Sequence, residues 1–313
     1  MTFKWGAMSI LNFSSNKVSE INPALEAFLK NFSIEVMPRT ASKIENFKEL
    51  LPQDTRVYVA HIEGTPINEM IETAKRLTDE GYNVMPHFPA RIIESKEVLV
   101  NWIDRYKNEA GVKDALLLAG GVNQPYGEFH SSMDLLDTGE FDKAGFKNLH
   151  VAGHPEGNMD IDTDGKTKNV DSAISWKQEF SQKTDANMAI TTQFCFESGP
   201  VIEWADRMAS MGIDIPIHIG VAGPAKLQTM IKFSMACGVG ASLRVLKRRA
   251  KDVTKLLLPF KPDQFLTELA EYKALNPNFL ITNVHFFPLG GIKTNAKWTI
   301  ENGGISATPA LQS

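Results

Sequence analysis

Residues 56–88 read RVYVAHIEGTPINEMIETAKRLTDEGYNVMPHF, and this stretch decides the fold. Its two ends, Arg56–Ile62 and Tyr82–Phe88, are apolar runs rich in β-formers. The middle, Thr65–Gly81, has the punctuation of a helix. Thr65 suits the N-cap, Pro66 the first helical position, and Gly81 the stop. Ile67, Met70, Ile71, Ala74 and Leu77 then fall on one stripe at helical spacing. The unit is strand, helix, strand.

The same alternation extends in both directions. β-rich runs recur at Ser33–Pro38, Ala115–Gly120, Asn148–Pro155, Met188–Phe196, Pro216–Ala222 and Ile281–Leu289, with helical patterns between them. Eight strands separated by helices predict a parallel sheet closed as a (β/α)8 TIM barrel. An open doubly wound sheet is the alternative, but it usually has a glycine-rich first turn, and the first turn here is Pro38–Arg39–Thr40. No linker interrupts the pattern. One domain is expected over residues 1–305, with a short N-terminal helical extension whose helix, Pro23–Lys30, closes the bottom of the barrel, and residues 306–313 form a loose tail. Three connections exceed the usual length: Gly121–Gly145, Gly157–Asn169 and the helical stretch Ala225–Leu258.

Composition narrows the function class. The chain has 313 residues, 43% of them apolar, and a net charge of −4. That charge gives no reason to expect nucleic acid or an anionic membrane as partner. Cys195 and Cys237 make neither a metal-ligand spacing nor a disulfide framework, which suits a reducing cytoplasm. The opening MTFKWGAMSILNFSS has no apolar run long enough for a signal peptide, and no later segment approaches a membrane span. The oligomeric state is not fixed by sequence, and a homo-oligomer is compatible with it.

The strand ends carry the chemistry. In Ala189–Glu197, AITTQFCFE, a core strand is broken by Thr191, Thr192 and Gln193. A buried amide without a partner costs roughly 1–3 kcal/mol, so Gln193 at a carboxyl end suggests a ligand. Glu35, His61, His87, Gly120–Gly121, His154 with Glu156, His218 and His285 occupy equivalent positions, which a barrel gathers around one mouth. Five of the seven histidines are among them. They raise the reading of a metal-dependent hydrolase. No His-x-His occurs, however, and the first strand offers only Glu35, so no metal site is assigned. Glu35 lies among Ile34, Val36 and Met37. Burial there would keep its carboxyl protonated, as a general acid requires, whereas pairing with Arg39 at the rim would keep it ionised. The loop Asp160–Asp171 mimics a calcium loop at five positions, but it follows a strand, has Thr167 where an apolar residue belongs, and ends in Asp. That context argues against calcium and for a solvated turn with Asp171 capping the next helix. No phosphate-binding glycine loop occurs; Cys237–Ser242 is too short, and Lys247–Arg249 reads as a solvated helix face.

These segments together resemble the methylenetetrahydrofolate reductases over nearly the whole chain. Ile34–Arg39 is similar to that family's Glu-x-x-Pro first strand, and Met85–Pro86–His87 to its third-strand histidine. Val151–Gly157 resembles the fifth-strand turn, Thr192–Gln193–Phe194 with Phe196 the Thr-Gln-Phe-Phe motif, and Gly212–Ile217 the approach to strand seven. The resemblance implies a barrel with FAD at its mouth that interconverts 5,10-methylenetetrahydrofolate and 5-methyltetrahydrofolate by hydride transfer, in either direction, with NAD(P)H as electron partner. It implies Glu35 as general acid, and Gln193 with Thr191 as folate contacts. It also implies His87, Gly120, Gly121, Ala152, His154, Asn158 and, for the pyrophosphate, Lys183 as FAD contacts.

The chain departs from that pattern. Ala119–Gly120–Gly121 replaces an Arg-Gly-Asp, Leu227 stands where an aromatic residue helps sandwich ligands, and Lys293 would substitute for an arginine at the folate tail. His154 stands where tyrosine is common. A folate-dependent methyltransferase that needs no flavin is therefore the competing class, followed by the metal-dependent hydrolase and, fourth, a non-catalytic folate-binding protein.

Overall fold

In the computed structural model the apolar runs become eight strands: β1 (Ser33–Val36), β2 (Arg56–Val59), β3 (Asn83–Pro89), β4 (Asp114–Leu118), β5 (Asn148–Gly153), β6 (Asn187–Cys195), β7 (Ile217–Ala222) and β8 (Ile281–Phe287). Each pairs in parallel with the next, and β8 pairs in parallel with β1. The result is a closed (β/α)8 barrel. The structure describes residues 22–236, Leu246 and 259–304. The N-terminal segment 1–21, Cys237–Ser242, Lys247–Arg249, most of the helical stretch Ala225–Leu258 and the tail 306–313 therefore lie outside the described residues.

The helices are α1 (Pro23–Leu29), α2 (Pro38–Ala41), α3 (Ile67–Asp79), α4 (Lys96–Ala110), α5 (Ser132–Asp137), α6 (Glu140–Ala144), α7 (Lys168–Ser181), α8 (Ser198–Ser210), α9 (Leu227–Ala236), α10 (Asp263–Leu275) and α11 (Ile292–Glu301). The helix α3 shows why the pattern works. Met70, Ile71, Ala74 and Leu77 are all buried, and Gly81 takes φ +93° to turn the chain into β3. Burial of each larger side chain contributes roughly 1.5–3 kcal/mol. The cap lies one residue later than expected. Pro66 is the N-cap, and the Thr65 carbonyl is instead 3.0 Å from His61 Nε2.

The main core lies between the helix ring and the outward faces of the strands, with Leu29, Val57, Leu77, Tyr106, Leu149 and Ile217 among its fully buried members. Helix α1 forms as expected, but it packs against α10 and β8. At the amino end of the lumen, Asp114 pairs with Arg56 at 3.5 Å and accepts from Asn148 Nδ2 at 2.7 Å. The long connection Gly121–Gly145 holds two short helices, α5 and α6. No helix among the described residues is long and apolar enough to cross a membrane.

Candidate functional site

The lumen of this barrel is lined by rings and hydroxyls. Branched aliphatic side chains usually fill that space. Here Tyr58 from β2 sits at its centre, with its hydroxyl 2.6 Å from His150 Nδ1 and 3.2 Å from Thr191 Oγ1. The His285 ring lies 4.3 Å from the Tyr58 ring, and His218 stands edge-on to His150 at 4.7 Å. Burial keeps these groups uncharged. It raises the Tyr58 phenol, lowers His150 well below the usual imidazole value, and takes His218 down to about 3.

Glu35 stands above this layer, on the inward face of β1. Its Oε2 lies 3.4 Å from His87 Nε2 on β3 and 3.8 Å from His285 Nε2 on β8. Of the two states open from sequence, protonated by burial or ionised by pairing, the geometry favours the ionised one, with two imidazoles as partners in place of Arg39. Burial does push Glu35 upward, but His285 and His87 more than offset it and hold it near 2, so the resting group is a carboxylate. Neighbours in sequence reported the strand's outer face, whereas the partners come from β3 and β8. Arg39 is exposed, and Glu35's ion-pair contacts among the described residues are the two imidazoles.

The polar break in β6 is a bulge. Pairing with β7 shifts register between Thr191 and Phe194. Gly220 on β7 makes room for it, since a Cβ there would stand 2.4 Å from the Thr192 carbonyl oxygen. Bulges are concentrated next to active sites because they re-aim a side chain. Thr192 stabilises this one by accepting from Gly220 N at 2.8 Å and donating to the Gln193 carbonyl at 2.9 Å. Gln193 Oε1 accepts from Phe194 N at 3.1 Å, and Gln193 remains half-buried at the mouth. Thr191 lies one layer lower on the same inward face, buried against Tyr58 and His150. It is a lumen residue, set below the mouth where a substrate contact was expected of it.

His87, Gly120, Gly121, Ala152, His154 and Asn158 form an arc along the carboxyl ends of β3, β4 and β5. Gly120 takes φ +94°, and a Cβ there would sit 3.0 Å from Pro89 Cβ, so glycine is required. A Cβ at Gly121 would meet nothing within 4 Å. His154 is half-buried, 3.4 Å from Asn158 Nδ2, and burial reinforced by Lys177 lowers it to about 4.

Lys183 does not join this arc. It is exposed just after the carboxyl end of α7 and four residues before β6 begins, so it belongs to the opposite, amino face. The lysine that approaches the mouth is Lys177. It is buried, donates to the Ala152 carbonyl at 2.9 Å, and is lowered by burial from 10.5 to about 8. The signal for it was present: Val170, Ile174 and Lys177 share the buried spacing of α7.

On the other side of the mouth, Lys293 is exposed in the first turn of α11, the helix that follows β8. Leu227 is not at a ligand surface; it is 2% exposed, inside an apolar cluster with Phe194, Phe196, Met230 and Phe260. The half-buried aromatic residue beside the lumen is Phe287, two residues beyond His285 on the same face, its ring 4.8 Å from that imidazole. The i, i+2 spacing from His285 would have identified it.

Of the five histidines expected at the mouth, His87 and His154 are there. His218 and His285 lie in the lumen, and His61 packs on Trp102 with ring centroids 5.0 Å apart. Among the described residues no group of three or more His, Cys, Asp or Glu is arranged to hold a metal ion. In the calcium-like loop, the Asp162 carboxylate accepts from Asn169 N and Val170 N and so caps α7, while Asp171 pairs with Arg207 at 2.6 Å. The expected cap at Asp171 is thus supplied by Asp162.

No family model matches the chain. Among solved structures, an uncharacterized protein from Clostridium thermocellum that binds two copies of 5-methyl-5,6,7,8-tetrahydrofolic acid aligns over 88% of this chain and 95% of its own, at TM-score 0.51 and 10% identity. That likeness is one of fold. The enoyl-[acyl-carrier-protein] reductase (NADH) from Aquifex aeolicus VF5 aligns over 86% of this chain and 98% of its own, at 11% identity, but at TM-score 0.28 it bears no weight.

Proposed function

We propose that this barrel binds a reduced folate at its mouth and interconverts the methylene and methyl levels of its one-carbon unit by flavin-dependent hydride transfer. The observation that carries this reading is the placement of Glu35, His87, Ala152 and Gln193. The motif segments that hold them resemble one family, and all four residues occur at the carboxyl ends of strands around one mouth. The Clostridium thermocellum protein, which shares the fold, binds a methylated reduced folate.

The arc from β3 to β5 fits a flat ring. Gly120 and Gly121 present backbone, Ala152 is small, and His154 offers an uncharged imidazole. These residues with His87 and Asn158 would hold the FAD ring, which supplies hydride chemistry when bound. NAD(P)H is the proposed electron partner. Gln193 would hydrogen-bond the pterin, Phe287 would cover its face, and Lys293 would meet the acidic tail. Glu35 exchanges a proton with the folate nitrogen that opens or closes the five-membered ring. As a resting carboxylate it is ready to accept that proton during ring closure, and it must first be protonated to serve ring opening.

A folate-dependent methyltransferase is the second reading. Two observations favour it: Lys183 lies on the wrong face for a pyrophosphate, and Gly121 supplies no carboxylate after β4. The spectrum of the purified protein separates the two. A visible flavin band that bleaches on anaerobic addition of 5-methyltetrahydrofolate supports the oxidoreductase. A colourless protein that transfers the methyl group to a corrinoid or thiol refutes it.

A further inference from the structure

Glu35 is held from two other strands. His87 Nε2 on β3 and His285 Nε2 on β8 both face its Oε2, and both nitrogens are buried without a hydrogen-bond partner of ordinary geometry. The other ring nitrogen of His285 lies 3.0 Å from Ser33 Oγ. Ser33 Oγ also lies 3.4 Å from the Val284 carbonyl oxygen; with the hydroxyl donating along the shorter contact to Nδ1, the His285 proton rests on Nε2 and that N–H faces the carboxylate. Tyr58 on β2, its ring tilted against that of His285 with centroids 4.3 Å apart, is a further titratable group on this side of Glu35. Burial raises Tyr58, so it faces Glu35 as a neutral phenol.

We infer that this imidazole clamp makes the mouth selective for the open, methylated reduced folate over the ring-closed 5,10-methylene form. The inference rests on the reduced-folate reading above. In 5-methyltetrahydrofolate the nitrogen N10 carries a hydrogen, which it donates to the Glu35 carboxylate. In the 5,10-methylene form N5 and N10 are both bridged by carbon, so the carboxylate faces a lone pair and loses its donor. A neutral carboxyl would reverse the preference, because it could donate to that lone pair. The clamp therefore sets ligand choice through the protonation state of one residue. The same arrangement gives ring closure a base at rest.

A charge-assisted hydrogen bond made by one ligand and denied to the other is equivalent to at least about a tenfold difference in affinity. The test measures anaerobic binding of 5-methyltetrahydrofolate and of 5,10-methylenetetrahydrofolate by protein fluorescence, between pH 6 and 8. The wild-type chain should prefer the methyl form about tenfold or more, with little change over that range. Glu35→Gln, which cannot ionise and can donate, should abolish or invert the preference. His87→Gln and His285→Gln each remove one support of the carboxylate. Their preference should shrink and should recover as pH rises and Glu35 ionises. His285 is fully buried, and where its replacement fails to fold, Glu35→Gln and His87→Gln decide the matter. Equal affinities in the wild type, or an unchanged preference in Glu35→Gln, overturn the inference but leave the folate reading standing. Binding of neither folate overturns both.

Discussion

Replacing Lys177 by methionine should stabilise the fold at neutral pH and remove a specific pH dependence. Lys177 is 5% exposed, and its ammonium donates to the Ala152 carbonyl at 2.9 Å. Burial lowers it from 10.5 to about 8. At 1.36 kcal/mol per pKa unit, keeping the charge inside costs the native state about 3 kcal/mol. The sign follows from proton counts. Below pH 8 both folded and unfolded chains hold the proton, and the full cost is present. From about pH 8 to 10.5 the unfolded chain holds more protons, so stability rises with pH, and above 10.5 the cost is gone. Methionine fills a similar volume without charge, but it leaves the Ala152 carbonyl unpaired at about 1–3 kcal/mol. The expected net gain at pH 7 is about 0–2 kcal/mol. Urea unfolding of both proteins from pH 7 to 10.5 gives the difference curve. Wild type should gain about 3 kcal/mol relative to Lys177→Met across that interval. A flat difference curve would sink the idea, because it would mean that Lys177 is solvated or paired in solution. In the same variant, the His154 imidazole should titrate higher than its present value of about 4, which ring proton shifts in NMR would report.

Other outcomes follow from single contacts. Gly120→Ala places a Cβ 3.0 Å from Pro89 at φ +94°, and should cost about 1–3 kcal/mol in thermal unfolding while weakening any ring bound at the β3–β5 arc. Asp162→Ala removes the acceptor for two N–H groups at the start of α7; denaturant titration should show a loss of about 1–2 kcal/mol, and millimolar calcium should leave the wild-type melting temperature unchanged. Tyr58→Phe should cost about 1–2 kcal/mol by the same assay, because His150 and Thr191 keep their own contact at 3.3 Å. Leu77→Ala, in the stripe that predicted α3, should cost about 2–5 kcal/mol.

The barrel was legible because two periodicities are local. Met70, Ile71, Ala74 and Leu77 face one way whatever the rest of the chain does. Strand ends were legible too, which is why Glu35, His87 and Gln193 could be named together, whereas Ala152 came only with the family resemblance. Depth along the barrel axis was not. It depends on stagger between strands, so His285 and Thr191 could not be told from mouth residues, although they lie a layer below. Lys177 was missed for a different reason. Lysine is ordinarily a surface residue, and that habit masks its place with Val170 and Ile174 on the buried stripe of α7. The ionisation of Glu35 stays open in the sequence because its two determining partners lie more than fifty residues away.

The bulge in β6 also constrains how this chain can vary over time. An extra residue at Thr192–Gln193 is tolerated only because Gly220 has no side chain. The two positions are therefore locked together as an insertion and a substitution. In any descendant, a larger residue at 220 requires a strand shortened by one at 192–193, and that deletion would turn Gln193 away from the mouth. A relative with alanine or valine at this point of β7 would be expected to read its ligand with a different residue.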